Sequence, residues 1–171
     1  MSEYAGIMTG ALSERPKHIL TTYRRIAMVG VSASPTRASY RAMVHMLSKG
    51  YTVYPINPRY EEIQGVRCYD SLLELDQPVD IVDIFRRGDT VMPLVDEAKQ
   101  IGAKVFWMQI GVINDEAAAA AAKAGMEVIM DRCVKIEQCR FFGKKDYGLD
   151  VVGLNTGVLS ANRVDCHFKF N

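Results

Sequence analysis

The chain has 171 residues, 49% of them hydrophobic and 24% charged, which fits one globular domain with a substantial core. Lys and Arg total 21 against 20 Asp and Glu, so the formal net charge of +1 provides no global field to gather nucleic acid or a membrane surface, and an anionic ligand must be met locally. No apolar run approaches the ~18 residues of a membrane span, the opening residues lack the pattern of a secretory signal, and Cys68, Cys133, Cys139 and Cys166 form no CxxC pair, so the expectation is a soluble cytoplasmic protein with reduced thiols.

In chain order, RIAMVGV at 25–31 is a short continuous apolar run suited to a strand covered on both faces. A helix is predicted over 39–50, with Ser39 as N-cap, Met43, Met46 and Leu47 on one face and Gly50 at its end. YTVYPI at 51–56 is a strand, VRCY at 66–69 a short edge strand, SLLEL at 71–75 about one helical turn, and VDIVDIF at 79–85 a strand again. Asp89 or Thr90 is expected to cap the helix that carries Pro93 in its first turn. AKVFWMQIG at 103–111 is a strand, Asn114 caps an alanine-rich helix ending before Gly125, and MEVIM at 126–130 is the last strand. This alternation predicts a three-layer α/β fold with a parallel sheet, organised as one domain over 1–143 with a leading helix and an appendage of unread role at 144–171.

In such a sheet a ligand lies at the carboxyl ends of the strands, where the first turn meets a helix N-terminus. The segment VGVSASPT at 29–36 occupies that place, but Ser32 and Pro35 stand where a G-x-G-x-x-G fingerprint has glycine. Ser32, Ser34, Thr36 and Ser39 offer hydroxyls to phosphate oxygens instead, and Arg37 offers charge. At the end of the second strand, where NAD proteins place an acidic residue for the ribose, the chain reads INPRY. Asn57, Pro58 and Arg59 suit a ribose that bears a phosphate, which leaves NADP and coenzyme A as candidates.

The stretch from AMVGVSASPT through INPRYEEIQGVRCYDSLLEL to VDIVDIFRR, followed by KVFWMQIGV and VIMDRCVKIE, resembles the stand-alone CoA-binding domain family. That family is similar to the N-terminal domain of the succinyl-CoA synthetase alpha subunit, and the likeness runs from about Ile19 to about Arg140. The resemblance implies a Rossmann-like sheet of about six parallel strands in the order 3-2-1-4-5-6, with coenzyme A or an acyl-CoA over the strand ends. It implies that Gly30, Val31, Ser32 and Ala33 hold the diphosphate with Arg37 and Ser39 nearby. Asn57, Pro58 and Arg59 would then meet the adenosine end, and Ile84, Phe85 and Arg86 the nucleotide half.

The synthetases carry a phosphorylated histidine in a second domain that is not expected here, and His18, His45 and His167 fall at no predicted strand end. Catalysis by the chain alone is therefore not expected, nor is a metal site, since the Cys and His spacing matches no zinc ligand set. Asp131 in MDRC is read as a helix cap beside an ion pair, with an activated Cys133 as the sharper alternative. Trp107 is read as packed inward and Gln109 as satisfied. Asp80 and Asp83 are read as paired or hydrogen-bonded rather than as a general base. Two other readings stay open: an NADP-dependent oxidoreductase, and a module whose CoA occupancy regulates a protein partner. Oligomeric state is left open, including a homo-oligomer.

Overall fold

The computed structural model describes residues 14–143, so the expected appendage, with Cys166 and His167, lies outside the described residues. Its strands are β1 (Arg25–Val29), β2 (Thr52–Ile56), β3 (Glu62–Ile63), β4 (Val66–Arg67), β5 (Ile81–Ile84), β6 (Val105–Met108) and β7 (Glu127–Ile129). The helices are α1 (Arg15–Thr22), α2 (Ala38–Ser48), α3 (Met92–Gln100), α4 (Asp115–Lys123) and α5 (Val134–Phe142). Five strands pair in the order β2-β1-β5-β6-β7, all parallel, with Ile26 opposite both Val53 and Ile81 and Val82 opposite Phe106.

The continuous apolar runs follow from burial of the sheet on both faces. Alternate residues divide between two cores. Ile26, Met28, Ile81, Val105 and Trp107 pack with Ile19 and Leu20 of α1, Met43 and Met46 of α2, and Val134 of α5. Ala27, Val82, Ile84, Phe106 and Met108 face the other way, against Val95 and Ala98 of α3 and Ala117, Ala118 and Ala121 of α4. The alanine run is thus a helix whose small side chains let it approach the sheet, and Asn114 caps it as expected, its Oδ1 accepting the Ala117 N–H at 2.8 Å.

The expected sixth strand is reduced to a single bridge. VRCY divides: Val66 and Arg67 turn back on Glu62 and Ile63 as a hairpin, whose two turn residues, Gln64 and Gly65, have φ of 55° and 71°. Only Tyr69 then reaches the sheet, bridging in parallel to Ile56 beyond β2. The 3-2-1-4-5-6 order therefore holds with its outermost strand cut to one residue.

Two expected caps are corrected. Ser39 lies inside α2, with Arg37 at the cap position, and its hydroxyl is engaged by the preceding loop. Asp89 and Thr90 belong to a 3-10 turn over Gly88–Thr90, where Asp89 pairs with Arg87 and the Thr90 hydroxyl donates to the Arg87 carbonyl, so Val91 precedes α3. At the amino ends of the strands the Asp80 carboxylate takes Arg25 Nε at 2.9 Å and Nη2 at 2.5 Å, and also the Arg24 and Arg25 backbone N–H groups. Those bonds, with Arg25 foremost, hold its carboxyl below the usual range. Asp80 is a clamp between β1 and β5, as the pairing expectation had it, on the edge of the sheet opposite the candidate site.

Candidate functional site

Where β1 ends, the chain turns through Gly30 at φ 85°, and the Gly30 N–H donates to the Ile56 carbonyl at 2.9 Å. A Cβ at this position would stand 2.9 Å from the Phe85 carbonyl oxygen, so both the left-handed backbone and the close approach of the β5 end require glycine. Val31 is buried, and its carbonyl receives Asn57 Nδ2 at 2.7 Å. The hydroxyls beyond it fold the loop on itself. Ser39 Oγ accepts the Ser32 N–H at 3.1 Å, Ser32 Oγ accepts the Ser34 N–H at 3.1 Å, and the Ser34 and Thr36 hydroxyls meet at 2.9 Å. Arg41 reaches back from α2 to the Thr36 carbonyl at 3.0 Å.

Asn57, at the end of β2, spends its side chain within the protein: besides Val31, its Oδ1 accepts the Arg59 N–H at 3.1 Å, an Asx turn that fixes the NPR corner. Pro58 and Arg59 project from that corner, exposed. After β5, Phe85 is half-buried and Arg86 is exposed, its Cδ 3.3 Å from where a Gly30 Cβ would sit, so the arginine stem lies against the first loop. The expected residues thus separate by role. Gly30, Ser32, Ala33, Arg37, Pro58, Arg59, Phe85 and Arg86 reach the surface or the half-buried rim of the strand ends, whereas Val31, Ser39 and Ile84 are buried beneath as support. Arg37, Arg59 and Arg86 form no ion pair with another described residue, unlike Arg87, which is held by Asp89. Three guanidiniums without a carboxylate partner thus stand at the carboxyl ends of the strands in a chain of nearly neutral charge.

Beneath this rim the structure holds groups whose state the sequence did not reveal. Asp83 is fully buried, with Oδ1 accepting Gln109 Nε2 at 2.6 Å and Oδ2 without a hydrogen-bond partner. Burial pushes its carboxyl up to about 8, against the weaker pull of the Gln109 and Ile84 hydrogen bonds, so it is predominantly uncharged at neutral pH. Trp107 is packed inward, its Nε1–H donating to the Arg132 carbonyl at 2.7 Å. Burial also raises the Cys133 thiol, which opposes the activated-thiol alternative. Arg132 does form the expected ion pair, with Glu137 at 2.9 Å, but Asp131 caps no helix: it adopts φ 57° and accepts the Gly111 N–H at 2.8 Å. His45 is buried between α2 and α5, where it hydrogen-bonds Gln138 at 2.7 Å, and burial lowers its pKa. Among the described residues no group of His, Cys, Asp and Glu is arranged to hold a metal ion, and no helix is long and apolar enough to cross a membrane.

A family model described as "CoA binding domain" matches residues 24–138. The uncharacterized protein YneT of Bacillus subtilis is 41% identical over 120 residues, which is 70% of this chain and 89% of that protein. The alpha subunit of acetate–CoA ligase (ADP-forming) II from Pyrococcus furiosus is 31% identical over 66% of this chain, yet the matched part is only 27% of the subunit. Among solved structures, a hypothetical protein from Pyrococcus horikoshii superposes with a TM-score of 0.75 at 40% identity, covering 78% of this chain and 94% of that one. The apo form of an acetyl-coenzyme A synthetase from Ca. Korarchaeum cryptofilum gives a TM-score of 0.57 at 26% identity over 63% of this chain and 26% of its own. Likeness to the ligases is therefore confined to between 12% and 27% of their length, while the small relatives are matched nearly whole.

Proposed function

The chain belongs to the CoA binding domain family, and from that premise we propose that it holds coenzyme A across the carboxyl ends of β2, β1 and β5 and does so without a reaction of its own. The observation that carries this reading is the ring of unpaired Arg37, Arg59 and Arg86 around a loop whose only glycine, Gly30, is pinned against Phe85. The diphosphate lies over the Gly30 to Ala33 turn, with Arg37 and Arg86 on either side, and the α2 N-terminus adds its positive end. The phosphate on the adenosine ribose meets Arg59, which the Asn57 turn holds outward.

Absence of catalysis is supported by the chemistry under the rim. Asp83 is uncharged and sealed, Cys133 is raised rather than activated, and His45 is enclosed between two helices. Calorimetry with coenzyme A, dephospho-coenzyme A and NADP tests the assignment. Coenzyme A is expected to bind ten-fold or more tightly than dephospho-coenzyme A, since a charge-assisted phosphate contact contributes about 1.5 to 3 kcal/mol. Arg59→Ala removes most of that preference and leaves dephospho-coenzyme A unaffected. Equal binding of the two by the unaltered protein refutes the role of Arg59, and NADP outcompeting coenzyme A refutes the cofactor in favour of a reductase.

A further inference from the structure

The loop after β6 holds two isoleucines in water. Ile110 is 60% and Ile113 57% exposed, although Val112 between them is buried. This is not a slack loop. The Val112 N–H donates to the Gln109 carbonyl at 2.9 Å, the Gly111 N–H to Asp131 Oδ1 at 2.8 Å, and Asn114 Nδ2 to the Gly88 carbonyl at 2.8 Å. The partner Asp131 adopts a left-handed backbone, φ 57°, that disfavours residues bearing a side chain. Met92, at the start of α3 on the neighbouring β5 connection, is 39% exposed. The fold thus fastens the loop on both sides and still presents its isoleucines to solvent.

Size and position decide what covers them. Even counted together, the three side chains expose only roughly 300 Å², no more than the largest patch on an ordinary monomer and well short of the ~800 Å² per partner of a stable protein interface. That area suits a short hydrocarbon chain. If the adenosine end of the cofactor sits at the β2 corner and the diphosphate at the β1 loop, the pantetheine arm continues over β5 toward β6. Strands ~4.8 Å apart place the β6 loop about 10 Å from the diphosphate turn, within reach of that arm. The segment 108–113, MQIGVI, carries no charge, and the exposed carboxylate beside it, Asp131, is hostile to an acyl group with an acid of its own.

We infer that the β6 loop receives the acyl group of a CoA thioester, so that the ligand class is an apolar acyl-CoA of several carbons rather than free coenzyme A or a dicarboxylic thioester. This rests on the cofactor reading above, and the experiment separates the two. Dissociation constants are measured by calorimetry for coenzyme A and its acetyl, butanoyl, hexanoyl and succinyl thioesters. Full burial of a methylene tightens binding about four-fold; on a patch covering one side of the chain about two-fold per methylene is expected, or roughly ten- to twenty-fold from acetyl to hexanoyl. The succinyl ester is expected to bind no better than the acetyl ester. Ile110→Ser with Ile113→Ser flattens the series while the affinity for free coenzyme A and the melting temperature stay unchanged; Ile110→Ser alone lowers the slope part of the way. Free coenzyme A binding with a flat series in the unaltered protein overturns the inference and leaves the cofactor reading standing. A slope that survives both substitutions, or a dimer that these substitutions dissociate, overturns it as well. Failure of every ligand to bind, coenzyme A included, removes the cofactor reading and this inference with it.

Discussion

Replacing Asp83 by Asn isolates the cost of keeping a carboxyl proton inside the sheet. Asn has the same shape as the protonated acid and keeps an oxygen for Gln109 Nε2, which donates to Asp83 at 2.6 Å. The folded carboxyl is raised to about 8 from an ordinary value of 3.8. Between those limits the native state holds a proton that the unfolded chain has released, so stability falls as pH rises, by up to about 1.4 kcal/mol per pH unit, and levels off above about 8. From pH 5 to pH 8 the unaltered protein should lose about 3 to 4 kcal/mol relative to Asp83→Asn, a large part of the 5–15 kcal/mol typical of a domain. His45 contributes with the opposite sign: its pKa is lowered in the fold, so its contribution is complete above 6.5 and is lost as pH falls. Because His45 is common to both proteins, it cancels in the difference. Urea unfolding followed by circular dichroism at pH 5, 6, 7 and 8, at constant ionic strength, measures the two curves. The variant should already be the more stable at pH 5, by about 1.5 to 2 kcal/mol, because pH 5 lies above the unfolded carboxyl's 3.8, and the gap should widen toward pH 8. Parallel curves would show that Asp83 ionises alike in the folded and unfolded chains, and the account of an uncharged carboxyl under the ligand rim would be wrong.

Gly30→Ala combines a left-handed φ of 85° with a contact at 2.9 Å to the Phe85 carbonyl oxygen, and is expected to cost about 2 to 4 kcal/mol in denaturant unfolding and to weaken coenzyme A binding. Asp80→Asn removes an oxygen from the carboxylate that gathers Arg25 and two backbone N–H groups, and should lower the denaturation midpoint at pH 7, the difference shrinking as pH falls through the depressed carboxyl of the unaltered protein.

The parallel sheet was legible in the sequence because each strand is a short apolar run and each helix has its own period, and neither signal depends on distant partners. The end of β2 shows where that legibility stops. VRCY has strand composition, but whether it joins the sheet is decided by the Gln64-Gly65 turn, which sends Val66 back onto Ile63 and leaves Tyr69 alone to bridge. The two misplaced caps fail for a related reason: Ser39, Asp89 and Thr90 are all good capping residues, and each is already engaged by a neighbouring loop. At the site, the positions of Gly30, Arg59 and Arg86 follow from the strand ends alone. The uncharged state of Asp83 does not, since VDIVDIF contains two aspartates in like surroundings and only the fold places one opposite Arg25 at the amino edge and the other in a sealed interior.

The loop with one glycine can be understood from what each glycine of the dinucleotide fingerprint is for. The first permits the tight turn, and here Gly30 keeps it because Phe85 leaves no room for a side chain. The third lets the following helix pack closely on the strand, but α2 begins only at Ala38, so Pro35 stands exposed on a longer loop. The second admits the pyrophosphate to bare backbone N–H groups. At that place the Ser32 N–H is taken by the Ser39 hydroxyl and the Ser34 N–H by Ser32, so two of the loop's N–H groups are satisfied within the protein. In the proposed reading, a diphosphate here would leave those two hydrogen bonds intact if Arg37, Arg86 and the α2 N-terminus met it from outside. The proposed reading gives the two sets of residues separate work: the serines hold the loop's shape, and the arginines would supply the attraction.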